Sequence, residues 1–185
     1  MTENSEFVIE ATLLAVGGVG LVRMKTRFDT GIDDIWSALT KPEKLARWYG
    51  TFNGDFHVDG LFTAFIPSSG WNGRGRVAEC NAPRHLSVSM WEKEGEEQDL
   101  TIDLVAVASH TNLVLEKGGI APDLCWAYGA GWQAHLEDLA DFLAGRERTD
   151  LSISWNMRFD EHEPIYRQMK VTTVARQESL SLLEQ

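Results

Sequence analysis

The sequence predicts an α+β domain in which an antiparallel β-sheet packs against one long helix. Two observations indicate this. Between Gly54 and Gly118, short runs of alternating apolar and polar residues are separated by Gly, Pro and Asn, as is typical of a meander of antiparallel strands. Farther along, apolar residues recur at helical spacing through 123–143. At 185 residues the chain suits one domain with an extra segment.

A β-hairpin is predicted at the start of the chain. Gly17 and Gly18 separate the runs 7–16 and 19–28, and glycine pairs favour the tight turns that join antiparallel strands. In the second run apolar residues alternate with basic ones, so we expect one buried face and one wet face. The apolar stretch 11–22 is too short to span a bilayer and follows acidic residues, so we expect no membrane insertion.

Two short helices follow the hairpin. We expect Thr30 to cap a helix at 32–39, and the segment 40–43 has capping-box spacing before a second helix at 45–49. The meander is predicted to contain six strands, at 55–58, 61–66, 73–80, 85–92, 100–108 and 113–117, with turns around 92–99 and 110–112.

The long helix at 123–143 contains two glycines, and Gly145 with Arg146 supplies its C-terminal stop. Each interior glycine costs a helix roughly 1 kcal/mol relative to alanine. Gly129 and Gly131 therefore indicate either close approach of another backbone or space left beside neighbouring aromatic side chains. We expect one apolar face made by Cys125, Tyr128, Trp132, Leu136, Leu139 and Leu143, with Glu137, Asp138 and Asp141 mostly off it.

The last part of the chain is predicted to be an appendage. A strand or extended piece is expected at 151–155, a helix beginning at Glu163-Pro164, and a polar end. We divide the chain into a domain at 1–145 and a C-terminal extension at 146–185. The extension is expected to pack on the domain or on a second subunit, which allows a homodimer.

Composition excludes several function classes. Seventeen basic and 28 acidic residues give a net charge of -11, which disfavours nucleic acid as a partner. Cys80 and Cys125 form no CxxC pair, so we expect a reducing cytoplasm. The five histidines show no metal-ligand spacing and no phosphate-binding loop is present, so we predict no metal and no cofactor.

Three motifs resemble those of one known superfamily. Residues 35–49 are similar to its W-x-A-L-T-x-P-E-x-L-x-x-W signature. Residues 73–79 with 83–86 match its G-x-V-x-E…P-x-R-L block in part, with His85 in the arginine position. Residues 128–132 are similar to its G-W-x-x-x-L-x-x-L helix. Over 22–145 the chain thus resembles the START-like (SRPBCC, birch-pollen-allergen-like) superfamily, in the branch named after the activator of the ATPase of heat-shock protein ninety.

This resemblance implies the helix-grip fold, in which a curved sheet wraps the long helix and two short helices close one end. It also implies an internal pocket between helix and sheet. We expect that pocket to bind a small hydrophobic or aromatic molecule through Trp48, Phe62, Phe65, Trp71, Arg76, Trp91, Tyr128, Trp132 and His135, with Phe52 and Arg74 as further candidates.

Alternative interpretations stay open for these residues. The aromatic residues could be ordinary core, the arginines an outward basic stripe, and His135 structural. An enzyme of the polyketide cyclase or dehydrase type would need titratable groups converging in one pocket, such as His135 with Glu79 or Arg76. A chaperone ATPase regulator would instead act through protein interaction. No catalytic residue is assigned.

Overall fold

The computed structural model describes residues 7–146 and 150–175. In these residues nine strands form one sheet, and four α-helices and a 3-10 turn at Pro122–Leu124 complete the fold. The strands are β1 (Ile9–Val16), β2 (Val19–Phe28), β3 (Thr51–Gly54), β4 (Leu61–Ile66), β5 (Trp71–Asn81), β6 (His85–Trp91), β7 (Gln98–Val107), β8 (His110–Ile120) and β9 (Val171–Val174). The helices are α1 (Ile32–Thr40), α2 (Pro42–Leu45), α3 (Cys125–Leu143) and α4 (Leu151–Tyr166).

The sheet has the strand order β3-β4-β5-β6-β7-β8-β2-β1-β9. Neighbouring strands are antiparallel, except that β9 pairs with β1 in parallel. The hairpin between β1 and β2 turns at Gly17 and Gly18, whose φ angles of 57° and 84° suit glycine. This hairpin and the meander of β4 to β8 are the predicted ones.

The buried side of the sheet faces α3. Alternate strand residues point to that side, as in β8, where Leu113 and Leu115 are buried and Asn112 is exposed. The first half of α3 packs on β1 and β2, and α1 contacts α3 at the other end. The predicted helix-grip fold is therefore confirmed. Among the described residues, no helix has the length and apolarity needed to cross a membrane.

The C-terminal segment differs from its prediction. Residues 151–155, expected to be extended, form the first turns of α4, and Pro164 lies inside that helix instead of at its start. The Asp150 side chain caps the helix by accepting hydrogen bonds from the backbone N–H groups of Ser152 and Ile153 at 3.0 and 3.1 Å. The predicted polar end, 176–185, lies outside the described residues.

The predicted side-chain caps of the two short helices are also wrong. Gly31 is the residue before α1, and Thr30 instead accepts a 2.8 Å hydrogen bond from the Thr111 hydroxyl at its backbone carbonyl. The Thr40 hydroxyl donates to the Trp36 carbonyl within α1 at 2.7 Å, so it makes no capping box. Helix α2 begins at Pro42 and not at the predicted residue 45. The proline ring fits the first turn of a helix.

Two predicted boundaries in the sheet are shifted. The first strand of the meander is β3 at Thr51–Gly54, whereas 55–58 forms a turn. Ala108 has a positive φ of 52° and turns the chain between β7 and β8, so residues 110–112 already belong to β8.

Candidate functional site

A sizeable cavity lies between the first half of α3 and the sheet. Cavity 1 has a volume of about 470 Å³, within the range that small-molecule sites usually occupy. Strands β4 to β8 form its floor, α3 forms one wall, and α4 covers it. Its main lining side chains are Tyr49, Trp71, Met90, Trp91, Gln98, Lys117, Tyr128, Trp132, His135, Trp155 and Phe159.

A second cavity lies next to the first, under α1 and α2. Cavity 2 has a volume of about 230 Å³ and is lined almost entirely by apolar side chains, including Trp48, Phe52 and Phe62. Tyr49, Met90 and Trp132 line both volumes and so separate them.

The wall between the cavities is an aromatic cluster centred on Tyr49. Its ring centroid lies 5.5 Å from that of Trp132 and 4.8 Å, edge to face, from that of His135. Burial raises the pKa of Tyr49 far above its ordinary value, so its hydroxyl stays protonated. This cluster gives the site flat apolar surfaces with a few polar edges.

His135 is the most strongly perturbed group of the site. It is 6% exposed, and burial lowers the pKa of its imidazole from 6.5 to about 3. Its Nδ1 is buried and has no hydrogen-bond partner among the described residues. The ring is therefore neutral at physiological pH and offers one unused nitrogen in the wall of cavity 1.

Lys117 is the functional candidate that sequence reasoning missed. It occupies the inward-facing register of β8 after Leu113 and Leu115, is 6% exposed, and lines cavity 1. Burial lowers the pKa of its ammonium to about 8, and Asp99 acts weakly in the other direction. The sequence signal is the alternation of inward and outward residues along β8, which places the charged Lys117 at an inward position where an aliphatic residue is expected.

Polar side chains mark one edge of cavity 1. Gln98 donates a 2.8 Å hydrogen bond from its amide nitrogen to the hydroxyl of Tyr128. Glu92 and Glu96, in the exposed turn between β6 and β7, lie at the rim. The cavity thus has an acidic, solvent-exposed rim and an aromatic interior.

Both glycines of α3 allow close approach of α4, and Gly131 also lines cavity 1 beside Tyr128 and Trp132, so both expected reasons apply. A Cβ on Gly129 would lie 2.4 Å from Cδ1 of Tyr166, and one on Gly131 would lie 3.1 Å from Cζ2 of Trp155. The Trp155 indole N–H donates to the Gly131 carbonyl at 3.0 Å. Trp155 and Phe159 stack at 4.9 Å and close the cavity on the α4 side.

Charged residues hold α4 on α3. Asp138, which the sequence placed off the apolar face, is only 4% exposed because α4 covers it. Arg158 donates to Asp138 at 2.8 Å and to Asp141 at 2.6 Å, and the Ser154 hydroxyl donates to Asp138 at 2.9 Å. His162 pairs with Glu137 at 2.8 Å. These polar contacts add to the aromatic packing of Trp155, Phe159 and Tyr166.

Seven of the nine predicted site residues line a cavity. Trp71, Trp91, Tyr128 and His135 line cavity 1, Trp48 and Phe62 line cavity 2, and Trp132 lines both. The Trp48 indole N–H is satisfied within the protein, because it donates to the Ala38 carbonyl at 3.0 Å.

Phe65 and Arg76 line neither cavity, so their predicted placement is wrong. On β4 the inward positions are Phe62, Ala64 and Ile66, which leaves Phe65 on the other face with 46% exposure. On β5, Val77 is buried and Arg76 is exposed, as is Arg74. Both arginines belong to the outward stripe.

The acid–base group expected for a cyclase is not assembled from the predicted residues. Glu79 is exposed and lies 3.5 Å from His85, and Glu116 pairs with Arg23 at 3.5 Å. Neither joins His135. In the part of the chain that the structure describes, no cluster of His, Cys, Asp and Glu has an arrangement that would hold a metal ion.

Comparison with known proteins identifies related sequences and folds. The model of the family described as "Activator of Hsp90 ATPase homolog 1-like protein" matches residues 29–144. No curated protein is similar enough in sequence to count as a match.

Solved structures have the same fold at low identity. CalU16 from Micromonospora echinospora is 23% identical with a TM-score of 0.71, covering 89% of this chain and 96% of that one. The protein encoded by BPP1335 from Bordetella parapertussis is 21% identical with a TM-score of 0.66, covering 82% and 86%. PFC0360w, an HSP90 activator from Plasmodium falciparum, is 18% identical with a TM-score of 0.56, covering 69% and 97%.

Proposed function

The chain belongs to the family of Activator of Hsp90 ATPase homolog 1-like proteins, and from this premise and its cavities we propose that it binds a small, largely hydrophobic molecule between the sheet and α3. The cytoplasm, where its two unpaired cysteines would stay reduced, is the proposed location.

One observation carries this proposal, namely a volume of about 470 Å³ lined by Trp71, Trp91 and Trp132. Close-packed interiors leave few voids larger than a water molecule, so a volume of this size beside α3 is not ordinary core. Aromatic walls bind apolar and aromatic molecules with large contact areas. The adjacent cavity 2 offers room for a longer chain or a second ring.

The test is the binding of N-phenyl-1-naphthylamine, an uncharged fluorophore that brightens in apolar surroundings. We expect saturable binding to the full chain. In the variant Ala127→Phe a ring is placed in cavity 1, and the affinity should fall at least about tenfold, which corresponds to roughly 1.4 kcal/mol.

Ala144→Phe is the matched control, because Ala144 is exposed at the end of α3 and lines neither cavity. That variant should bind the fluorophore as the wild type does. Equal binding by Ala127→Phe and wild type, with both folded by circular dichroism, contradicts the proposal.

Protein interaction is the second candidate, in the form of self-association. It is favoured by the outer side of α4, where Ile153, Met157 and Ile165 are exposed. Light scattering over a concentration series should then give a dimer that Met157→Lys dissociates. A mass of one chain at every concentration removes this candidate.

A further inference from the structure

We propose that the molecule bound in cavity 1 is an amphipathic carboxylic acid whose carboxylate pairs with the ammonium group of Lys117. This inference rests on the proposed function, because it assigns the chemical class of the same ligand.

The backbone places Lys117 among apolar neighbours. It lies opposite Val22 on β2 and opposite Leu100 on β7, and both side chains are buried. Lys117 itself is 6% exposed and is among the residues that line cavity 1. Its side chain therefore points into cavity 1 and not to the outer face of the sheet.

No described residue neutralises this ammonium. In the described ranges, Lys117 forms neither an ion pair nor a side-chain hydrogen bond. Asp99 is the acid that influences it, but that carboxylate is exposed and accepts a hydrogen bond from Ser89 at 2.5 Å. Glu92 and Glu96 lie at the exposed rim of the cavity without pairing with it.

A largely buried cation without a partner is costly, and a carboxylate that paired with it inside the cavity would offset that cost. A second donor lines the same cavity. The Tyr128 oxygen accepts the hydrogen bond from Gln98, so its own O–H is left to donate. An ammonium and a hydroxyl donor can together hold the two oxygens of a carboxylate.

The rest of the ligand would be apolar. Trp71, Trp91 and Trp132 form the walls of the same cavity, and cavity 2 continues beyond Trp132. A carboxylic acid with an aryl or alkyl body would thus place its carboxylate at Lys117 and its apolar body against the tryptophan rings.

The experiment measures displacement of N-phenyl-1-naphthylamine by decanoate and by decan-1-ol, which share a ten-carbon chain. In the wild type at neutral pH, decanoate should compete at least about tenfold better than decanol. In Lys117→Met this preference should fall to about one, with decanol affinity retained. Lys25→Met, on the outward face of the neighbouring strand, should keep the wild-type preference.

The outcomes separate the two proposals. Displacement by both compounds with equal strength, in wild type and Lys117→Met alike, overturns the carboxylate assignment and leaves apolar binding supported. Failure of the fluorophore itself to bind overturns the proposed function and this inference with it. Lys117→Gln repeats the test with a polar neutral side chain, should the methionine variant be misfolded.

Discussion

The indole N–H of Trp155 donates a 3.0 Å hydrogen bond to the backbone carbonyl of Gly131. The contact fixes α4 onto α3 at a position where the long helix has no side chain. Because Trp155 also lines cavity 1, the same contact sets one wall of the candidate site. Stability of the α3–α4 pair and shape of the site are therefore linked.

The first prediction concerns the two glycines of α3. Gly129→Ala should destabilise the protein by about 2 kcal/mol, because overpacking against the buried Tyr166 ring outweighs the gain in helix propensity. Gly131→Ala, with a nearest contact of 3.1 Å, should be close to neutral. Urea unfolding measures both. A stabilising Gly129→Ala would show that α4 does not pack as described.

The second prediction concerns the charged contact between the helices. Arg158→Met removes the guanidinium that donates to Asp138 and Asp141, and should cost about 3 kcal/mol because Asp138 is buried. The free energy of unfolding in urea, followed by tryptophan fluorescence, measures this loss.

The matched control for this contact is Arg27→Met, which removes an exposed arginine–aspartate pair of 2.7 Å. Exposed pairs of this kind contribute about 0–1 kcal/mol. A loss in Arg158→Met no larger than in Arg27→Met would contradict the interhelical role of Arg158.

The third prediction is that the free energy of unfolding changes at alkaline pH because of Lys117. Its pKa falls from 10.5 in the unfolded chain to about 8 in the fold, so the folded state loses its proton first. Without ligand, burial of the ammonium costs up to about 3 kcal/mol below pH 8, and this cost disappears as pH rises to 10.5. Lys117→Met should be more stable than wild type at pH 7, with the difference shrinking above pH 8. A constant difference would contradict burial of a charged lysine.

The fourth prediction is that the free energy of unfolding falls at acidic pH because of His135. Its pKa falls from 6.5 to about 3, so the unfolded chain binds a proton that the fold excludes. Stability supplied by the neutral ring is complete above pH 6.5 and is lost as pH falls towards 3. At pH 5 the loss is about 2 kcal/mol. His135→Phe should lack this part of the pH profile, measured as the difference in unfolding free energy between pH 7 and 5. If the unfolding free energy of His135→Phe changed between pH 7 and 5 as much as that of the wild type, the acid dependence would not be due to His135.

Much of the fold was predictable because its signals are local. The hairpin at Gly17 and Gly18, the alternating strands and the apolar face of α3 all follow from turn chemistry and periodicity. The C-terminal helix was not predictable in this way. Its packing face mixes the aromatic residues Trp155, Phe159 and Tyr166 with the buried polar residues Ser154 and His162, so the apolar periodicity is weak, and only Asp150 signals the start of the helix.

The candidate site was predictable in part. Trp71, Trp91 and Trp132 stood out as aromatic residues in a fold with a cavity. The predictions for Phe65 and Arg76 failed because successive residues of a strand point to opposite faces, and both lie an odd number of residues from an inward position, Phe62 or Val77. Lys117 was missed because charged residues rarely face a core, so its inward position depends on the continued register of β8.

The most direct measurement of the central claim is an NMR experiment on the full chain with bound N-phenyl-1-naphthylamine. Intermolecular nuclear Overhauser effects locate the ligand protons. We expect contacts from the naphthyl ring to Trp132, His135 and Trp155, which face cavity 1. Contacts only to exposed apolar residues such as Leu61, Phe65 or Met157 would contradict it, because the fluorophore would then lie on the surface and not between sheet and helix.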